Sequence, residues 1–348
     1  MTAGEAARGT GRYSRQELFA GIGAEGQARI RASSVVIVGC GALGSALAEM
    51  MTRAGVGRLT LVDRDYVEES NLQRQSLFDE ADAARGMPKA AAAESKLRRI
   101  NSEVAVRGVV ADLAADNAAE LLEGADLVLD GTDNFETRFL LNDVCVRAGI
   151  PWVYGACVGS YGLALLVRPK VSPCLRCLLE ERPAPGSGPT CDTAGVVAPI
   201  VHVIAGIQVG EALKLLAGRV DSLLPGLVTV DLWTGQFDVL DLRGRAPWCP
   251  ACTAGQFDYA VAGPAGGSAV LCGRDAVQVR PGRNAHVDLG ALAERLGASA
   301  EVRTVNEHLV RFVVPEAELV VFRDGRAIVK NVRDTAQARS LYAKYVGA

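Results

Sequence analysis

With 348 residues, 49% of them hydrophobic, and 38 glycines, the chain can hold one large domain and a smaller one, each with its own core. A formal net charge of −3 gives no global electrostatic case for a nucleic-acid partner. The stretch Met1–Gly11 lacks the apolar run of a signal peptide, and nine cysteines without an export signal favour metal ligation over disulfides, so a soluble cytoplasmic α/β protein is expected.

Residues 1–11 read as a disordered tail. The first patterned unit begins at Ser34–Val38 (SVVIV), a β-branched run suited to a strand buried on both faces. The turn Gly39-Cys40-Gly41-Ala42-Leu43-Gly44 follows at once. A helix then runs to Arg53, and a second strand, Leu59–Val62, leads into Asp63. The alternation continues with a helix over Met87–Ile100, a strand over Val104–Val110, a helix over Ala115–Glu123 and a strand over Leu127–Asp130. A helix over Thr137–Ala148 and a strand over Trp152–Gly155 complete it. Such alternation predicts a doubly wound, mostly parallel sheet. The Pro/Gly-rich stretch Glu181–Pro189 reads as a mobile crossover. Beyond it comes an apolar helix, Ala194–Ala217. His202, Gln208, Glu211 and Lys214 interrupt its apolar character, which favours a buried helix over a membrane span. A strand near Leu227–Leu232 follows. Residues 259–267 read as a linker and 268–348 as a small α+β domain. That domain has strands at Ala269–Cys272 and Ala276–Val279, helices at Leu289–Leu296 and Ala336–Tyr345, and a hairpin around Asp324-Gly325.

Gly39-x-Gly41-x-x-Gly44 sits after a strand and opens a helix, where glycines let backbone N–H groups approach a phosphate. Asp63 ends the next strand about 20 residues beyond the last glycine, placed to accept from ribose hydroxyls. A dehydrogenase would show the same features. The run DRDYVEESNLQRQ (63–75) is different, because it sets Asn71 and Arg74, and then Lys89, directly after the ribose-binding strand. Those groups suit a triphosphate, whose cleavage builds charge on a pyrophosphate that Arg forks and a Lys stabilise. Asp133, in Asp130-Gly131-Thr132-Asp133-Asn134 after a buried strand, can be presented to Mg²⁺. Asp65 is equally suited to capping the following turn, and Asp130 to holding backbone N–H groups at the strand end.

These motifs, with RYSRQ (12–16), Pro88-Lys89, two C-x-x-C pairs and TCDTAG (190–195), give the chain a resemblance to the ThiF/MoeB/HesA family, bacterial relatives of ubiquitin-activating enzymes. The resemblance covers roughly residues 12–255, within an adenylation domain expected over 12–258, and within the family it is most like the thiamin-biosynthesis members. It implies a Rossmann-like nucleotide site in which Gly39, Gly41, Gly44, Asp63, Asp65, Asn71, Arg74 and Lys89 hold ATP and Asp133 holds the metal. Arg15 would reach the phosphates from the partner subunit of a homodimer. It further implies that Cys174, Cys177, Cys249 and Cys252 meet in a structural Zn²⁺ site; the rival reading is two unrelated buried pairs or redox motifs. The implied activity is ATP-dependent adenylation of the Gly-Gly carboxylate of a ubiquitin-like sulfur-carrier protein. A separate sulfur donor would then act, in thiamin or molybdopterin biosynthesis. No membrane or nucleic-acid partner is expected.

Cys191 follows the mobile stretch and precedes a helix start at Thr193, where its thiol pKa would be lowered. In some relatives the cysteine of this motif handles the activated carrier covalently, and in others it is dispensable. Cys40, Cys145, Cys157 and Cys272 read as small core residues, as do His202, Trp152, Tyr154, Trp233 and Trp248 as packing residues. His286 and His308 suggest nothing. Rival readings are adenylation of another carboxylate or of a modified tRNA base, and a non-catalytic scaffold for a ubiquitin-like protein.

Overall fold

The computed structural model describes residues 11–184, 188, 190–244, 248–261, 267–271, 276–281, 285–297, 299–332 and 334–347. In chain order its strands are β1 Ser34–Val38, β2 Arg58–Asp63, β3 Ala105–Val110, β4 Leu127–Asp130, β5 Trp152–Val158, β6 Tyr161–Val167 and β7 Gly226–Asp231. They continue as β8 Gln236–Asp241, β9 Gly267–Leu271, β10 Ala276–Arg280, β11 Glu301–Val305, β12 Leu309–Val314, β13 Ala317–Phe322 and β14 Ala327–Lys330. Eight form one sheet in the order β3-β2-β1-β4-β5-β6-β7-β8, and six form a second in the order β11-β12-β13-β14-β10-β9.

In the first sheet β3, β2, β1, β4 and β5 run parallel, while β6, β7 and β8 are antiparallel. The strand order reverses between β1 and β4, and in such sheets that switch point opens a crevice at the carboxyl ends of the strands. One face is covered by the helices Ala42–Ala54, Lys89–Ile100 and Ala198–Leu216, and the other chiefly by Phe135–Ala148. Val35 to Val38 of β1 are all buried, as a β-branched strand between two helical layers must be. Helix Ala42–Ala54 stops at Gly55, whose φ of 82° closes the last turn. Asn134 caps Phe135–Ala148 by accepting from the Thr137 N–H.

The second sheet is antiparallel throughout. The period of two divides its residues cleanly. Leu319, Val321, Ala327 and Val329 face its own helices Leu289–Leu296 and Thr335–Tyr345. Val320, Phe322 and Ile328 face the other way, onto Tyr66 of the first unit. The hairpin expected at Asp324-Gly325 forms there, pairing Val321 with Ala327.

Several expectations need correction. The single helix Ala194–Ala217 is two, Cys191–Ala194 and Ala198–Leu216, because Gly195 takes φ 73°, ψ 177° between them. The helix over Ala115–Glu123 shrinks to Ala118–Leu121. Four stretches without a clear strand pattern (β6, β8, β11 and β12) are strands. In β6 the run YGLALLV has little polar alternation, and β8 is exposed along its whole length as the sheet's edge. Trp233 is 83% exposed and Trp248 58% exposed, so neither packs in the core. His202 is exposed on its helix, and Cys157 is only partly buried. Cys272 and residues 1–10 lie outside the described residues. Ala198–Leu216 is long and apolar enough to cross a membrane by composition. Here it lies on β5 and β6, with Gln208 Nε2 buried against the carbonyls of Asp130 and Val153.

Candidate active site

The crevice is built around two turns that need glycine for different reasons. Gly39, with φ +85°, sits so close to the turn after β4 that a Cβ there would lie 2.7 Å from the Gly131 carbonyl oxygen. A Cβ on Gly44 would lie 1.8 Å from the Gly39 oxygen. These two glycines lock the turn to the sheet. Gly41 is different: a Cβ there would meet only Gln75 Nε2, at 3.8 Å. The open side of the turn is therefore at Gly41. Gly41 also begins helix Ala42–Ala54 without a side-chain cap or an acidic residue in the first turn, which leaves its N–H groups for a ligand.

Asp63 stitches the turn to the next loop, accepting from the backbone N–H of Cys40 and, at 2.7 Å, of Asp65. Burial pushes its carboxyl above the usual carboxylate range, Lys89 and the two N–H groups oppose that, and Asp65 adds to it. Burial and the Asp63 charge likewise push the Cys40 thiol up, which leaves it inert. Lys89 is 2% exposed, and its ammonium lies 3.4 Å from Asp65 Oδ2, while its backbone N–H donates to the Asp65 carbonyl. Asn71 is buried, and its Oδ1 accepts from the Glu68 N–H. Arg74 folds back to donate to the Ser70 carbonyl at 3.0 Å.

The turn after β4 is fixed from below. Asp130 is fully buried, with Oδ1 accepting from Thr132 N at 2.9 Å and Thr132 Oγ1 at 2.6 Å. Arg138 Nε donates to Asp130 Oδ2 at 3.2 Å, and its Nη2 donates to the carbonyls of Thr132 and Gly155. Asp130 thus holds the turn rather than facing the crevice. Asp133, three residues on, is exposed, with Asn134 Nδ2 at 3.4 Å. The charges converge: burial pulls the Arg64 guanidinium down, but Asp112, Asp65, Asp133 and Asp63 outweigh it and hold it up.

Arg15 is not brought to this crevice. Its helix, Ser14–Leu18, follows Tyr13, whose ring lies against Gly55 at the far end of the helix that Gly41 opens. That helix has 13 residues and is therefore about 20 Å long. Cys191 stands on the crevice side of the sheet, its Sγ donating to the Cys157 carbonyl at the end of β5. It is the first residue of a four-residue helix capped by Thr190, not a residue ahead of the helix. Cys157 is pushed up to about 12 by burial and by the neighbouring Cys191.

Two residues of this region escaped the sequence pattern. Gln75 is 3% exposed, and its Oε1 has no hydrogen-bond partner among the described residues. Its place one residue after Arg74 in the polar run was the available signal. Arg138 could have been found as a charge set directly before the apolar run Phe139–Leu141 in a helix that packs on the sheet, where a buried guanidinium must have partners.

On the other face, Cys174, Cys177, Cys249 and Cys252 come together with all four sulfurs within 4.8 Å of one another. Individual separations are 3.7 Å (Cys174–Cys249), 3.8 Å (Cys174–Cys177) and 3.4 Å (Cys177–Cys252). Sulfurs about 2.3 Å from a tetrahedral Zn²⁺ lie about 3.8 Å apart, so the donor set fits zinc. The hydrogen bond between them pulls the Cys174 thiol down to about 5 and pushes Cys177 up. Behind the cluster, Arg176 pairs with buried Asp143 at 3.2 Å.

The sequence pattern of the ThiF family matches residues 13–251. The chain is 47% identical over 339 residues, 97% of its length and 100% of the relative's, to the sulfur carrier protein ThiS adenylyltransferase of Bacillus subtilis (strain 168). It is 41% identical over 247 residues, 71% of its length and 90% of the relative's, to the SAMP-activating enzyme E1 of Haloferax volcanii. Among solved structures it is similar to E. coli MccB with MccA-N7isoASN, at a TM-score of 0.63 and 24% identity over 72% of this chain and 76% of that one. At that identity the likeness is one of fold.

Proposed function

Because the chain belongs to the ThiF family, we propose that it uses ATP to adenylate the C-terminal Gly-Gly carboxylate of a ubiquitin-like sulfur-carrier protein. What supports this is the switch-point crevice: the open turn at Gly41 and the uncapped helix behind it follow β1, the buried Lys89 pairs with Asp65 after β2, and the exposed Asp133 follows β4. Gly39, Gly41 and Gly44 shape the phosphate loop, Asp63 accepts from the ribose, and Asp65 and Asn71 hold the loop beside it. Arg74 and Lys89 take the charge that develops on pyrophosphate. Asp133 would hold Mg²⁺, and a divalent cation there neutralises phosphate charge.

The carrier's carboxylate is ionised at neutral pH, so its attack on the α-phosphorus needs no general base. The new bond is carboxylate oxygen to phosphorus. The bond broken joins the α-phosphorus to the bridging oxygen, and pyrophosphate leaves. Rate then depends on alignment and charge stabilisation. Arg15 acts in the crevice of a second copy in a homodimer, since its own crevice is a helix length away. Cys174, Cys177, Cys249 and Cys252 hold a structural Zn²⁺, a thiolate set at home in a reducing cytoplasm. Residues 12–258 form the catalytic unit and 268–348 a second domain. Identity to the Bacillus enzyme over nearly the whole chain supports a ThiS-like carrier and the thiamin branch.

Carrier-dependent exchange of radiolabelled pyrophosphate into ATP tests this. Exchange is expected with a ubiquitin-like carrier ending in Gly-Gly and is lost when that dipeptide is removed. Exchange with some other carboxylate and with no such carrier would overturn it.

A further inference from the structure

The second domain is not tethered loosely beside the crevice; one face of its sheet is built onto the loop that carries the nucleotide residues. Tyr66, one residue after Asp65, is 3% exposed and packs against Leu309, Val320, Phe322 and Ile328. Its ring lies under two cations of that sheet, with the Lys330 ammonium 5.2 Å and the Arg311 guanidinium 6.0 Å from its centroid. Arg326, 4% exposed, donates from Nη1 to the Arg64 carbonyl at 3.3 Å. Lys330 reaches across to Glu68 Oε1.

Glu68 is the pivot. Its Oε1 takes the Tyr66 hydroxyl at 3.2 Å as well as Lys330. The same side chain accepts from the Asn71 backbone N–H, while Asn71 Oδ1 accepts from the Glu68 N–H at 3.2 Å. A chain of contacts therefore runs from Lys330 in β14, through one carboxylate, to Asn71 in the crevice. The loop's other side is tied to Lys89, through Tyr66 bridging to Pro88 and the Lys89 N–H donating to the Asp65 carbonyl. A surface loop of this kind is ordinarily the mobile part of a nucleotide site. Here it is gripped between two sheets.

We propose that the second domain is a clamp on the ATP loop, with Lys330 and Glu68 as positioning residues that hold Asn71 and the Asp65–Lys89 pair in their nucleotide-binding arrangement. This rests on reading the crevice as the ATP site. A clamp of this kind acts on ATP affinity and leaves the carrier's contacts alone. Without it the loop must be ordered when ATP binds, and that ordering weakens binding.

The test uses the full chain with Lys330→Met, Lys330→Arg and, as a control, Lys344→Met, which breaks the Lys344–Glu316 pair elsewhere on the second domain. Binding of a non-hydrolysable ATP analogue is measured by titration calorimetry, and exchange kinetics by varying ATP and carrier separately. Lys330→Met is expected to weaken analogue binding and raise the KM for ATP by about fivefold, with kcat and the carrier KM within about twofold. Lys330→Arg, whose guanidinium still reaches Glu68, should restore both, and Lys344→Met should match the parent. A merely structural role would instead lower kcat through loss of folded enzyme at unchanged KM. Analogue affinity equal to the parent's in a folded Lys330→Met protein overturns the clamp. If the parent binds the analogue without carrier-dependent exchange and Lys330→Met binds it more weakly, the clamp stands and the proposed reaction falls. If the parent does not bind the analogue, both fall.

Discussion

The crevice and the cysteine cluster lie on the same domain and use polar groups in opposite ways. In the cluster four sulfurs face inward at mutual contact, with Cys174 and Cys249 each 1% exposed, and nothing is left over for a substrate. In the crevice the support beneath is satisfied, Asp130 by four donors, while Asp63 with two keeps acceptor capacity and the outermost groups are open. Asp133 is exposed, Gly41 opens onto space, and Gln75 Oε1 is buried without a partner among the described residues. A closed donor set stores folding energy, whereas an open one placed on a closed support awaits a ligand. The distinction is testable because it assigns stability to one region and rate to the other.

The largest expected effect is on the cluster. Structural zinc contributes about 10 kcal/mol or more to folding in small zinc-binding peptides. Cys249→Ser should reduce bound zinc from about one per chain to a small fraction and markedly lower the thermal midpoint. Metal analysis and calorimetry read both. Full zinc occupancy in that variant would erase the contrast. Next comes Asp133→Ala, which should lower exchange by about 10²- to 10³-fold. Because the side chain is exposed, the melting midpoint should stay where it is. A loss of stability that accounted for the loss of rate would place Asp133 with the supports.

The two glycines divide the same way. Gly44→Ala drives a methyl into the Gly39 carbonyl oxygen and should cost about 1–3 kcal/mol or more in denaturant unfolding. Gly41→Ala meets ordinary space, so its stability should be nearly unchanged while ATP binding weakens by about tenfold. The reverse pattern would mean that Gly41, not Gly44, is the packing residue.

Much of this was legible in the sequence because it is local. β1 and β4 fall within the buried runs that mark them, and Gly39-x-Gly41-x-x-Gly44 lies where a strand gives way to a helix. The limits of reading came where partners are distant in the chain. Asp130 looked as much like a ligand as like a support until Arg138 and Gly155 were found beneath it. Edge strand β8 carries exposed Phe237 and Val239 with no inward face to set a pattern. The cysteine pairs announced themselves by spacing, but their meeting across 75 residues of sequence is tertiary information. Nothing in the 268–348 segment hinted that its sheet would close on Tyr66.

The smallest effect should come from a cysteine on the crevice side. Cys191 differs from the cluster cysteines in that its sulfur donates to a backbone carbonyl and is not among four sulfurs drawn together. It also lies in a four-residue helix, too short to act on its thiol as a longer helix would. Adenylate formation joins a carboxylate to phosphorus and requires no thiol at any step. Cys191→Ala should therefore leave carrier-dependent exchange within about threefold of the parent and zinc content and melting midpoint unaltered. Any covalent role would show only after adenylation, as slower formation of the carrier thiocarboxylate once a sulfur donor is supplied. Collapse of exchange in Cys191→Ala would instead move this thiol into the first chemical step, and would make the crevice, like the cluster, a site that cannot spare a cysteine.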